Sequence, residues 1–166
     1  MEAFAGIGLL AALVVGIVLW GRAKDAIWRT VNQRVLFRGA HSRGHWATQS
    51  TLTFQTSQLP TEVVAAVTRT LNLPTGVQSA VLGRLYVAAA GDDGIVFESG
   101  SKLGRSFRSQ LLVRSLPAGT TEGNYTVTHW TLSDGIVADV EQMAILERKI
   151  RVAVSAIDDS ATFALA

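Results

Sequence analysis

Between Ala3 and Trp20 the chain runs AFAGIGLLAALVVGIVLW, eighteen residues without a charged side chain, and Gly21 extends the run to Arg22. As an α-helix rising about 1.5 Å per residue, this segment reaches roughly 27–29 Å, the thickness of a bilayer's hydrocarbon layer. It predicts one membrane crossing. A cleaved signal peptide would open on a basic region, whereas this chain opens with Met1 and Glu2, and its one passable small-x-small site, Gly21-Arg22-Ala23, lies just past a Trp-Gly-Arg edge. A buried core helix is the remaining rival reading. No later stretch is long and apolar enough for a second span.

The flanks orient the span. Glu2 precedes it, while Arg22, Lys24, Arg29, Arg34, Arg38 and Arg43 follow it against a single Asp25. Cations close to the end of a span stay on the cytoplasmic side, so the expected topology is single-pass, with the N-terminus outside and the remainder cytoplasmic. Residues 44–166 then hold nine Lys and Arg against eleven Asp and Glu, a net of −2, so the positive excess lies beside the membrane. Such placement fits an anionic lipid surface rather than a nucleic acid, which needs a basic face on the folded domain. Arg22, Lys24, Trp28, Arg29, Arg34 and Arg38 are the expected membrane-surface residues, with Trp28 an interfacial anchor.

Within the span, Gly8, Ala12 and Gly16 form one stripe of small residues at i, i+4 spacing, which lets a second helix approach closely. The expected partner is another membrane protein or a second copy. After Gly21, Ala23, Ile27, Val31 and Val35 recur every four positions, an amphipathic pattern that continues the anchor helix, lies in the interface or covers part of the domain. Residues 38–45, RGAHSRGH, read as a linker. The organisation is therefore a transmembrane anchor over 1–21, a basic amphipathic juxtamembrane helix and linker over 22–45, and an α+β domain over 46–166.

In the domain, Leu52 and Phe54 alternate with Thr51, Thr53 and Gln55 as in a half-buried strand. Pro60 and Glu62 open a helix, capped near Ser57 or Thr61, whose apolar face carries Val63, Val64, Val67 and Leu71. Leu85–Ala90 and Ile95–Phe97 flank Gly91-Asp92-Asp93-Gly94 as a hairpin, and Ser106–Arg114 pairs with Asn124–Leu132. A last helix, begun at Asp134 or Asp139, runs to about Ile157. Strand, helix, hairpin strands and long helix in that order make an α+β fold: an antiparallel sheet packed under a long C-terminal helix.

The opening strand with QLPTEVVAAVTRTL, the strands ending in YTVTHWTLSDG and the closing VEQMAILERKIRVAVSAID resemble a reduced START/Bet v 1-type helix-grip domain of the polyketide-cyclase-like superfamily, over about residues 46–158. The segment from Leu71 to Arg84 is short for the family's second helix, and five strands are clear where six or seven are usual. The resemblance implies a pocket between sheet and last helix for a lipid or other apolar ligand. Tyr86, Phe97, Phe107, Trp130, Met143, Leu146 and Ile150 are the residues placed to line it; each also reads as ordinary core.

Catalytic signals are sparse. There is no cysteine, no G-x-S-x-G elbow, no Walker or dinucleotide glycine pattern, and no third ligand at metal spacing beside His41 and His45. His129 reads as a structural strand histidine. Asp92-Asp93 and Asp158-Asp159 read as solvated turn residues. Lys102, Arg105, Arg108 and Arg114 give one strand region a basic edge. The reading is an accessory or structural subunit without catalytic residues, metal or cofactor, whose domain mediates protein assembly at the membrane; the alternative is a membrane-tethered carrier or sensor of an apolar molecule.

Overall fold

Alternation of apolar and polar side chains builds the sheet. In the computed structural model, which describes residues 38–166 apart from positions 118 and 134, the strands are β1 (Thr51–Thr56), β2 (Arg84–Gly91), β3 (Gly94–Ser101), β4 (Gly104–Ser115), β5 (Thr121–Trp130), β6 (Leu132–Ser133), β7 (Ile136–Val137) and β8 (Thr162–Leu165). Six of them form one sheet in the order β2-β3-β4-β5-β1-β8, antiparallel at every pairing, and β6 pairs with β7 in a separate ribbon. The helices are α1 (Arg38–Gln49), α2 (Pro60–Leu71) and α3 (Val140–Ile157). Ser42–Ala166 is one compact unit.

One face of the sheet is apolar: Leu52, Phe54, Ile95, Phe97, Phe107, Leu111, Val113, Tyr125 and Val127 are buried there. Val63, Val67 and Leu71 of α2 and Met143, Leu146, Ile150, Ala153 and Val154 of α3 complete the same core. The 18 residues of α3 span about 27 Å, enough to cross the sheet. Phe54 stands opposite Gly123, and a Cβ at 123 would run into the Phe54 ring, so glycine on β5 makes room for the aromatic on β1.

Chain punctuation explains the helix ends. Pro60 opens α2 with its fixed φ, and the Glu62 carboxylate accepts a hydrogen bond from the Leu59 N–H, so Leu59 holds the cap position expected near Ser57 or Thr61. Asn72 closes α2 in the left-handed conformation. Asp139 precedes α3 with φ 58°, and its carboxylate accepts from Ser99 Oγ at 2.8 Å instead of capping the helix.

The order of elements departs from the sequence reading in three places. Residues 38–45 are the first part of α1, not a linker; Gly44 lies so close to Val137 that a Cβ there would come within 3.0 Å of it. The β6–β7 ribbon precedes α3. β8 adds a sixth strand beside β1, where Thr51 and Ala166 exchange backbone hydrogen bonds. The expected anchor, with Gly8, Ala12 and Gly16, and the membrane-surface residues Arg22, Lys24, Trp28, Arg29 and Arg34 lie outside the described residues; Arg38 begins α1. Among the described residues no helix is long and apolar enough to cross a membrane.

Candidate functional site

Strand geometry sets side chains alternately on the two faces, so Glu98, between buried Phe97 and Ser99, belongs to the face away from the helices. It is only 6 % exposed. A carboxylate removed from water needs partners, and the structure supplies them from both neighbouring strands. Tyr86, opposite it on β2, donates to Oε2 at 2.6 Å; Arg105 Nη2 lies 3.1 Å and Arg108 Nε 3.7 Å from Oε1.

A β-bulge makes this cluster. Ser99 pairs with Phe107 but Gly100 pairs with Arg105, so Ser106 is an extra residue on β4. In an unbroken strand, Arg105 and Arg108 would point to opposite faces; the extra residue brings both to Glu98. Thr131 secures the bulge by donating from its N–H and hydroxyl to the Ser106 carbonyl, at 2.8 and 3.1 Å. Gly100 is required here, because a Cβ would lie 2.5 Å from the Gly104 carbonyl oxygen.

Two guanidiniums face one carboxylate, so the cluster is net positive. Their side chains are 44 % and 45 % exposed, which leaves donors toward solvent that suit carboxylate or phosphate oxygens. Arg84 stands on the far side of Gly100 from Arg105, Lys102 sits in the β3–β4 turn and His129 is opposite Arg108 on β5. Burial, then the bond to Glu98 and its charge, raise the Tyr86 hydroxyl above its ordinary pKa against the opposing arginines. The basic edge read from the sequence therefore divides. Arg105 and Arg108 join the Glu98 cluster, whereas Arg114 pairs with Glu122 on β5 further along the sheet.

The expected pocket residues are placed differently from one another. Phe97, Phe107, Met143, Leu146 and Ile150 are between 0 and 2 % exposed and pack together beneath α3. Tyr86 lies outside that core, on the opposite face with Glu98, because its register partner faces outward. Trp130 ends β5 opposite Phe107 and is half-exposed. The recess between α1 and α3, lined by Trp46, Leu52, Tyr125, Met143 and Glu147 among others, measures about 10 Å³, room for one water. Burial raises the Tyr125 hydroxyl well above its usual range and the Glu147 charge adds to it; neither the Ser109 nor the Tyr125 hydroxyl has a hydrogen-bond partner among the described residues.

Asp158, read as a solvated turn residue, is buried. Its Oδ2 accepts from Thr56 Oγ1 at 2.6 Å, Ser57 N at 2.7 Å and Ser57 Oγ at 3.0 Å, and Oδ1 accepts from Ser160 N and Oγ. Those bonds, Ser160's first, hold the carboxyl far below the ordinary carboxylate range. This is a structural clamp at the end of α3; Thr56-Ser57 ending a strand and Ser160 two residues after Asp158 were its only sequence signals. Among the described residues, no three His, Asp or Glu side chains gather as a metal site. Compared with family models, curated proteins and solved structures, the chain has no match.

Proposed function

We propose that this chain is a single-pass, membrane-anchored accessory subunit whose cytoplasmic α+β domain serves protein assembly rather than chemical turnover. The filled space beneath α3 carries the choice over a carrier. Phe97, Phe107, Met143, Leu146 and Ile150 occupy the volume a lipid would need, and the adjoining recess holds about 10 Å³. The apolar run Ala3–Trp20 and the cations after it support anchoring and orientation. The stripe Gly8, Ala12 and Gly16 supplies a surface for a partner helix. We also read the domain as a reduced helix-grip member, a reading supported by the meander β2–β5 returning beside β1 with α3 across it.

Native mass spectrometry of the full chain released from nanodiscs tests the proposal. The expected spectrum shows a stoichiometric protein complex or self-association that is lost when Gly8, Ala12 and Gly16 are replaced by leucine. A monomer carrying one tightly held apolar molecule would establish the carrier reading instead.

A further inference from the structure

Loop tips at one end of the sheet are unusually apolar. Leu103, in the turn between β3 and β4, is 82 % exposed; Val81 and Leu82, in the loop leading to β2, are 72 % and 65 % exposed. They belong to one neighbourhood. Lys102 N donates to the Ser79 carbonyl at 3.1 Å, and Ser79 Oγ in turn accepts from the Val81 and Leu82 N–H groups. Trp130 ends β5 at the same end of the sheet, three strand spacings or about 14 Å from β2.

Cations surround these tips. Arg84, Lys102, Arg105 and Arg108 are four of the nine Lys and Arg in residues 44–166, a segment whose net charge is −2. The sheet thus concentrates positive charge where its loops expose leucine and valine. A protein partner would call for an apolar patch whose centre is depleted of lysine and whose charges lie at a rim. Apolar tips with Lys102 next to Leu103 and Arg84 close after Leu82 instead match an anionic bilayer, in which short apolar side chains enter the headgroup boundary and cations meet phosphates.

We propose that this end of the domain rests on an anionic lipid bilayer, with Val81, Leu82 and Leu103 inserted and Arg84, Lys102, Arg105 and Arg108 on the headgroups. The contact deepens the anchored reading, which keeps the domain beside the membrane, and gives the domain a fixed orientation there. The Glu98 cluster has a part in this: one carboxylate aligns two arginines and leaves their outward donors for phosphate.

Depth measurements on the full chain test it directly. The sequence contains no cysteine, so a single nitroxide is introduced by Leu103→Cys or, as a control at the opposite end of the sheet, by Asp92→Cys. The protein is reconstituted in vesicles of phosphatidylcholine with phosphatidylglycerol. At Leu103 collisions with a water-soluble nickel chelate should fall at least about threefold below those at Asp92, as expected for a side chain some 5–10 Å into the interface. Pure phosphatidylcholine vesicles, or Arg84→Gln with Lys102→Gln, should return the Leu103 probe to water, each lost cation shifting the equilibrium about fivefold. Equal nickel accessibility at Leu103 and Asp92 in anionic vesicles would overturn the proposal, as would protection that ignores lipid charge or appears only with an added protein. Carbonate extraction of the same vesicles reads the anchor separately: a chain released by carbonate sinks the anchored reading, while the neutral-pH probe at Leu103 still decides the docking.

Discussion

Thr56 and Asp158, 102 residues apart, are joined by a hydrogen bond of 2.6 Å that ties the end of β1 to the end of α3. An acid at a helix C-terminus is opposed by the helix dipole; here five donors overcome that penalty. The folded carboxyl titrates far below its unfolded value, so its stabilisation is complete above about pH 4 and is lost as pH falls below it. Urea midpoints measured from pH 7 down to pH 3 should therefore fall. In Asp158→Asn the midpoint should start lower and lose most of this acid dependence; an unchanged acid slope would remove Asp158 as its source.

The basic limb has a different origin. Both tyrosines, Tyr86 and Tyr125, have hydroxyls raised by burial, so the folded protein should show less tyrosinate absorbance at about pH 10, where free phenols titrate, than the unfolded chain does. For a raised group the contribution is present below the unfolded value and is lost as pH climbs above it. Absorbance should therefore appear together with loss of tertiary structure. Tyrosinate absorbance from the intact fold at about pH 10 equal to that of the unfolded chain would contradict the burial of both rings.

Glu98→Gln should destabilise the domain by about 1–3 kcal/mol in chemical denaturation, less than a fully buried pair because both arginines are partly exposed. Tyr86→Phe should cost about 1.5–3 kcal/mol, the value of a hydrogen bond to a charged acceptor. The double variant should be milder than the sum, since the two residues share one bond. Strict additivity would separate Tyr86 from the cluster.

Gly123→Ala should lower stability by about 1–3 kcal/mol through overpacking against the Phe54 ring. Pairing it with Phe54→Leu should recover part of the loss relative to Phe54→Leu alone. If Gly123→Ala is neutral in a thermal melt, the ring has another place to go.

Leu146→Ala, in the filled core beneath α3, should cost about 2–5 kcal/mol and open a cavity. Benzene should then raise the melting temperature of the variant and leave the parent protein unmoved. A parent protein equally stabilised by benzene would point to space beneath α3.

Periodicity carried most of the fold into the sequence: β1, the β2–β3 hairpin, β4, β5, α2 and α3 all follow from their apolar spacing and punctuation. β8 escaped because Thr162–Leu165 is short and its pairing with β1 is a long-range choice. α1 escaped because its glycines signal a loop locally, while contact with Val137 and Val140 makes Gly44 useful in a helix. Asp158 looked like a turn acid because its donors Thr56 and Ser57 are distant in sequence. The Glu98 cluster was half visible: Arg105 and Arg108 stood out in a basic edge with Lys102 and Arg114, but the bulge at Ser106 that brings the two to Glu98, and leaves Arg114 to Glu122, has no local signal.

That last point makes Ser106 a spacer. Its hydroxyl is incidental; the bulge that sets it aside from the ladder is what counts. Drawn flat into a regular strand, Ser106 would turn Arg105 toward the helices and part the two guanidiniums, whereas its deletion would leave Arg105 and Arg108 two positions apart and still side by side. A kink in the backbone, at this position, sets charge placement.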